Sequence, residues 1–404
     1  MKVLFLCNKS PYPAREGGPI AMKSLIDGLL KAGHKVKVLA VNSEKYQVSE
    51  ADIPEEFATQ TAIELVDVDL RIRPFAALKA FALGQSYHVQ RFISTHFRKK
   101  LISILKAEKF DVIQLETVFM MPYVDDIRQY SDAPIILRAH NIEHLIWKRI
   151  AIQTKNPFKK FYIHHLSKAL KKYELQSLNR ADGIAAITRK DAAFFRGLTS
   201  TPTIDVPYAI SPESFIPSFE VAEKPVFFHI GAMNWIPNQE GINWFLEKVW
   251  PLVIAKKPDA RFILAGRFMP EWLLNYKSQG IEVIGEVDDA SDFVRNNDIA
   301  VVPLLSGSGI RIKIIEAMAH GKTVLTTSIG AEGINYTDMK DLFIADDPAK
   351  MAALIVQLHE NSAIAVKTGK AARQLVDELY DNTKVIARLL LFYTNLMAAK
   401  NSFS

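Results

Sequence analysis

Short unbroken apolar runs alternate with helix-patterned stretches along this chain, and the alternation starts twice. Lys2 to Cys7 is followed by a Pro/Gly loop, Asn8 to Pro19, by an amphipathic stretch, Ile20 to Lys31, closed at Gly33, and by a second apolar run, Lys35 to Val41. Apolar runs of this length predict strands covered on both faces, and strand–helix–strand order predicts parallel pairing. Further strands of this half are expected at 63–68, 111–115, 133–137 and, as the last, 183–187, with long helices from about His88 to Lys109 and from Pro157 to Leu178. At Pro225 the pattern begins again, with strands at 225–230, 261–264, 282–284, 299–302 and 323–326, a helix over Asn238 to Val249, and helical patterning from Pro348 to Ala399. The expected fold class is therefore α/β, two Rossmann-like domains, joined by a linker within 206–223 that holds Pro207, Pro212 and Pro217.

At 404 residues the chain can bury two cores of ordinary size. Its one cysteine, Cys7, falls inside the first strand pattern, which leaves neither a disulfide nor a cysteine metal site and fits a reducing, cytoplasmic setting. His164 and His165 are adjacent on a helix and diverge, so no metal site is expected. No apolar stretch approaches the roughly 20 residues needed to span a bilayer. Charge is uneven: residues 1–207 hold 31 Lys+Arg against 21 Asp+Glu, and 208–404 hold 19 against 23, so balances of +10 and −4 make up the net +6. The basic first half suits an anionic partner.

The densest chemistry lies in Pro303 to Gly333, PLLSGSGIRIKIIEAMAHGKTVLTTSIGAEG. An apolar run ends in Ser306-Gly307-Ser308-Gly309 and passes into a helix with Ile310, Ile314, Ala317 and Met318 on one side. Glycines allow close backbone approach, and the first helical turn offers unpaired N–H groups at the positive dipole end, so Ser308 and Gly309 suit a phosphate. Arg311 and Lys313 add two cations, and Glu316, three residues after Lys313 on the same face, is placed to accept from ribose hydroxyls. A glycine-capped surface helix with solvated charges fits the same spacing.

This segment resembles the donor site of family 4 (group 1) retaining glycosyltransferases, in the bacterial sugar-transferase branch that reads G-G-G-T-R-L-K-x-L-E-A-M-A-x-G-K-P-V-V; Gly231-Ala-Met-Asn-Trp-Ile-Pro-Asn238 is similar to the same branch's G-x-M-x-W-x-P-N loop. The resemblance implies the GT-B architecture, two Rossmann-like domains facing across a cleft: residues 1–207 on the acceptor side, with a final helix at 382–399 packing back on them, and 208–381 binding the nucleotide sugar. It implies a donor site of Glu316 at the ribose, Ser308, Gly309, Gly231 and Asn234 around the phosphates, and Arg267 and Val287 near the base. Arg311 and Lys313 would neutralise the leaving diphosphate in place of a metal, and no cofactor beyond the nucleotide sugar is expected. The wider family carries two glutamates seven residues apart; Glu316 matches the second, whereas the first position is Ser308.

In the first half, His140 of Ala-His-Asn-Ile-Glu matches the family histidine near donor sugar and acceptor, and is expected to be catalytic; a structural histidine is the plain reading. Asn141 and Glu143 are expected to orient His140 or to bind acceptor, and Gly17 and Gly18 to bind acceptor or a phosphate, or simply to form a turn. Lys155 through Lys172, with Phe158, Phe161 and Tyr162 interleaved, and Phe97-Arg98-Lys99-Lys100 suit anionic lipid headgroups as well as they suit solvated helices. The expected function is sugar transfer from a nucleotide diphosphate sugar to a glycan, lipid-linked or small-molecule acceptor in cell-surface polysaccharide synthesis, in the cytoplasm or peripherally on its membrane. The alternatives are a sugar-nucleotide epimerase of the same architecture and a non-catalytic sugar-nucleotide-binding subunit. No nucleic-acid motif is present, and Gly17-Gly18 lacks the G-x-G-x-x-G spacing of hydride-transfer folds.

Overall fold

The structure is a computed structural model and describes residues 1–14, 17–307 and 310–401. It divides into two compact units, Met1–Ala209 with Asn382–Ser404, and Ile210–Asp381.

In the first unit, β1 (Lys2–Cys7), α1 (Gly17–Lys31), β2 (Lys35–Asn42), α2 (Glu55–Thr61) and β3 (Glu64–Asp67) are followed by three helices, α3 (Pro74–Ala82), α4 (Tyr87–Gln90) and α5 (Thr95–Ala107). Then come β4 (Val112–Glu116), α6 (Val124–Tyr130), β5 (Ile135–Ala139), the helical pair α7 (Glu143–Gln153) and α8 (Pro157–Leu178), β6 (Gly183–Ala186), α9 (Arg189–Arg196) and β7 (Thr203–Asp205). The strands form one parallel sheet in the order β3-β2-β1-β4-β5-β6-β7. Chain direction across the sheet reverses between β1 and β4, and ligands of such sheets sit outside the strand ends at that switch point.

Three expectations change here. Helix α1 begins at Gly17, not Ile20, so both glycines lie inside its first turn. The helix expected over 88–109 is split into α4 and α5, with Ser94 capping the latter through the Phe97 N–H. β6 is not the last strand, because β7 adds an edge beyond it; the TID segment is too short and too polar to show as an apolar run.

In the second unit, β8 (Val226–Ile230) leads into α10 (Ile236–Trp244), which continues through a π-helical turn, Phe245–Val249, into α11 (Trp250–Ile254). β9 (Arg261–Ala265), α12 (Glu271–Leu274), β10 (Ile281–Gly285), α13 (Ala290–Asn296), β11 (Ile299–Val302), α14 (Ile312–Ala319), β12 (Thr323–Thr326), β13 (Phe343–Ile344), α15 (Pro348–Glu360) and α16 (Ser362–Leu379) follow. The sheet order is β10-β9-β8-β11-β12-β13, with all pairs parallel, so the switch point lies between β8 and β11. The stretch read as a linker is mostly built into this unit. Arg373 donates to the carbonyls of Pro212 and Phe215, and the Ser218 N–H donates to the His320 carbonyl.

The last helix, α17 (Asn382–Asn401), belongs to the first unit, where Val385, Ile386, Leu389, Phe392, Tyr393 and Leu396 enter the core beneath α1 and β6. Glycine makes that contact close: a Cβ at Gly28 would fall 2.5 Å from Ile386, and one at Gly183 2.5 Å from Leu396. Among the described residues no helix is long and apolar enough to cross a membrane.

Candidate functional site

At the switch point of the second unit, three strand-end loops are joined by backbone hydrogen bonds. The Gly231 N–H donates to the Ala265 carbonyl at 3.2 Å, Met233 N–H to Arg267 carbonyl at 2.8 Å, and Gly266 N–H to Gly285 carbonyl at 2.7 Å. Gly266 sits at φ 150°, and a Cβ there would lie 1.9 Å from the Gly231 oxygen. The loops after β8, β9 and β10 thus hold one another, bringing Gly231, Arg267 and the stretch around Val287 to one edge of the sheet.

Helix α14 enters this edge from the loop after β11. Arg311 occupies its N-cap, is buried, and places its guanidinium over the Trp235 ring at 5.5 Å. Lys313, half-buried in the first turn, turns its ammonium back to the β8 loop, donating to Asn238 Oδ1 at 2.9 Å and to the Ile230 carbonyl at 3.3 Å. Burial and the neighbouring Arg311 bring its pKa down to about 7, against a weaker opposing pull from Glu316. Glu316, also half-buried one turn deeper, is pushed up by burial, with Lys313 acting the other way. His229 donates from Nδ1 to the Val301 carbonyl at 2.8 Å; burial and then Lys313 hold it well below the usual histidine range, so it stays neutral with Nε2 as an acceptor. A Cβ on Gly231 would come within 2.6 Å of the Lys313 ammonium and 2.9 Å of the Asn238 amide. Cationic side chains thus stand beside bare backbone at Gly231, at the N-terminal end of α14.

Ser308 and Gly309 lie outside the described residues. Asn234 is exposed, and Asn238, four residues on, is the asparagine that reaches Lys313. Arg267 is exposed with its guanidinium near the Phe268 ring, and Val287 is half-buried beyond β10. Asn238, His229 and Trp235 were not expected as site residues. A polar residue closing the motif loop and a histidine within an apolar strand were the available signals.

In the first unit, strand ends assemble a buried ionic cluster. Glu116, the last residue of β4, is fully buried and meets His140 Nε2 at 2.5 Å and Arg138 Nη1 at 3.4 Å. The Gln114 amide donates to Glu116 at 2.5 Å, and the Tyr393 hydroxyl of α17 donates to Gln114. Burial pushes the Glu116 carboxyl up, but Arg138, His140 and Gln114 together bring it below its ordinary value. Burial lowers His140 despite the bond to Glu116. An ionised Glu116 fixes Nε2–H as the donor and leaves Nδ1 as the basic nitrogen of a neutral imidazole. This carboxylate was not expected: it ends an otherwise apolar strand, and that single break in the pattern was its only mark. It also corrects the partner expected for His140, because Glu143 is turned elsewhere. Asn141 donates to Glu143 at 3.4 Å, and burial together with Glu174 pushes the Glu143 carboxyl up to about 7. Glu174 itself accepts the N–H groups of Glu143 and His144 at the start of α7. Gly17 and Gly18 open α1 at the switch point, with Lys9 Cε 3.1 Å from where a Gly18 Cβ would stand.

Residues 224–361 match the model of the family described as Glycosyl transferases group 1. This part of the second unit is similar to the group 1 glycosyltransferases. The "Uncharacterized 44.6 kDa protein in cps region" of Klebsiella pneumoniae is 24% identical over 96% of this chain and 98% of that protein. Sucrose-phosphate synthase from Thermosynechococcus elongatus superposes with a TM-score of 0.66 at 15% identity, covering 99% of this chain and 100% of that one. Anabaena HepE in complex with UDP gives 0.62 at 14% identity over 98% and 100%. The fold is that of the GT-B glycosyltransferases. The matched residues contain the whole β8 loop and α14, so the Lys313 cluster lies inside the segment that resembles the family.

Proposed function

We propose that this protein is a glycosyltransferase that transfers a hexose, with retention and without a metal ion, from a nucleotide diphosphate sugar to a glycan or lipid-linked acceptor of a cell-surface polysaccharide. The observation that carries the reading is the junction of α14 with the β8 loop. Arg311 and Lys313 stand at a helix N-terminus against Gly231, where a diphosphate completes the charge balance, and Glu316 lies one turn deeper along the helix. Two cations and a helix end supply the leaving-group stabilisation that a divalent ion supplies elsewhere. The UDP of the Anabaena HepE complex supports a nucleoside diphosphate as the leaving group. The cps region named for the Klebsiella relative supports a polysaccharide acceptor.

His140 is the proposed group acting on the acceptor or the transferred sugar, with Glu116 as its positioning residue through the 2.5 Å bond to Nε2. Thermal shift against UDP-, GDP-, ADP- and CMP-sugars with EDTA present tests the donor site. One nucleotide series should stabilise the protein, and Glu316→Ala should weaken its binding by about tenfold or more while the protein stays folded. Unchanged affinity in a folded Glu316→Ala protein would remove the donor assignment.

A further inference from the structure

The helices that leave the first unit's sheet carry large apolar side chains into solvent. Phe75 of α3 is 89% exposed and Phe158 of α8 is 86% exposed, with Ile72, Leu78, Ile152 and Phe161 also exposed. They occupy two neighbouring elements. Phe81 of α3 stacks on Tyr162 with ring centroids 6.1 Å apart and lies 4.0 Å from His165, so α3 packs beside the first turns of α8. Phe158 and Phe161 are one turn before that contact, at the tip where α7 and α8 join.

Charge marks the same two stretches. Before α5, residues 70–94 contain four Lys+Arg and no Asp or Glu, and residues 144–173 contain eight Lys+Arg and no Asp or Glu. Lys155, Lys159 and Lys160 are exposed around the α7–α8 tip. Beside α3 lies a cavity of about 610 Å³ lined by Arg71, Arg73, Lys79, Arg91 and His96, with Asp67 and Asp69 as its acidic groups. Asp69 pairs with Arg71 at 3.0 Å and Arg73 at 2.9 Å. The basic cluster expected at 97–100 does not belong to this face: Phe97 is a core residue, Arg98 pairs with Asp126, and Lys100 pairs with Glu64.

We infer that α3 and the α7–α8 tip form a docking face for an anionic lipid bilayer, with Phe75, Leu78, Phe158 and Phe161 entering the interface and the surrounding lysines and arginines meeting headgroup phosphates. Exposed aromatic and aliphatic side chains ringed by cations, with acids excluded over 25 and 30 consecutive residues, match a surface that is apolar below and anionic above. A water-soluble protein partner would not require the acid-free stretches. The face is independent of the donor site, so it stands or falls apart from the transferase reading.

The test is flotation of the full chain with vesicles of phosphatidylcholine alone or with a quarter phosphatidylglycerol, at low salt and at about 0.5 M NaCl. The wild-type protein should float with the anionic vesicles and weaken in high salt. Phe158→Ser with Phe161→Ser, and separately Lys159→Glu with Lys160→Glu, should each lower binding on the order of tenfold or more. All four side chains are exposed, so the variants keep the wild-type thermal midpoint and its nucleotide response. Equal flotation of the variants, or no flotation of the wild type, would overturn the inference. So would a dimer in light scattering that the Phe158→Ser/Phe161→Ser protein loses, because the face would then join two copies of this chain.

Discussion

Lys313 gives donor binding a pH dependence whose sign and size follow from its surroundings. In the free protein its pKa lies at about 7, because burial and Arg311 disfavour the ammonium. A bound diphosphate favours the charged form and raises that pKa, so binding takes up a proton wherever the free lysine is neutral. Affinity is then full below about pH 7 and falls as pH rises above it. With a pKa of about 7, the ammonium form makes up roughly nine-tenths of free molecules at pH 6 and about one-eleventh at pH 8, a loss of about tenfold in affinity or ~1.4 kcal/mol. His229 is already neutral across this range and does not imitate the effect, whereas burial raises the Glu316 carboxyl, so the same titration on Glu316→Gln separates its contribution from that of Lys313. Calorimetric titration of the nucleotide sugar, whose diphosphate diester has no group titrating here, in two buffers of different ionisation heat should show uptake of about 0.9 proton at pH 8. Lys313→Met should bind more weakly and lose both the uptake and the pH slope. Constant affinity from pH 6 to 8, or proton uptake that persists in Lys313→Met, would refute the reasoning.

Further outcomes are expected at the glycine contacts and in the ionic cluster. Gly266→Ala sets a Cβ 1.9 Å from the Gly231 oxygen at a backbone angle that L-residues avoid, and should cost at least about 2 kcal/mol in urea unfolding together with nucleotide response. Gly231→Ala should instead weaken nucleotide binding with a smaller loss of stability, because the atoms it meets are side-chain ends of Lys313 and Asn238; equal destabilisation by both alanines would contradict this. Glu116→Ala leaves the Arg138 charge buried without its carboxylate and should cost about 3–5 kcal/mol by denaturant midpoint. His140→Ala should keep nucleotide affinity and lower transfer on the order of a hundredfold; unchanged transfer would make the histidine structural.

Most of the fold could be read from hydrophobic periodicity. Strands such as β1, β4 and β11 are buried on both faces and therefore appear as unbroken apolar runs. The short, half-buried β7 left no such trace. The α14 residues Arg311, Lys313 and Glu316 were legible because one helical turn holds them together, and the structure keeps them together. Their partners were not, since Asn238 and His229 lie 75 and 84 residues from Lys313 in the chain and meet it only through the order of strands β8 and β11. Glu116 shows the same limit. Nothing in the sequence pairs residue 116 with residue 140, because that contact exists only when β4 and β5 lie side by side in register.

By itself, then, the sequence determined the layer architecture and the identity of the cations that open α14, both consequences of local spacing and burial pattern. Only the tertiary structure decided that Lys313 is held by Asn238 and brought down to about 7, that His140 is fixed by Glu116 rather than Glu143, and that Phe97 is core while Phe158 is exposed. Those outcomes depend on burial and on contacts between strands distant in the chain, which no local pattern encodes.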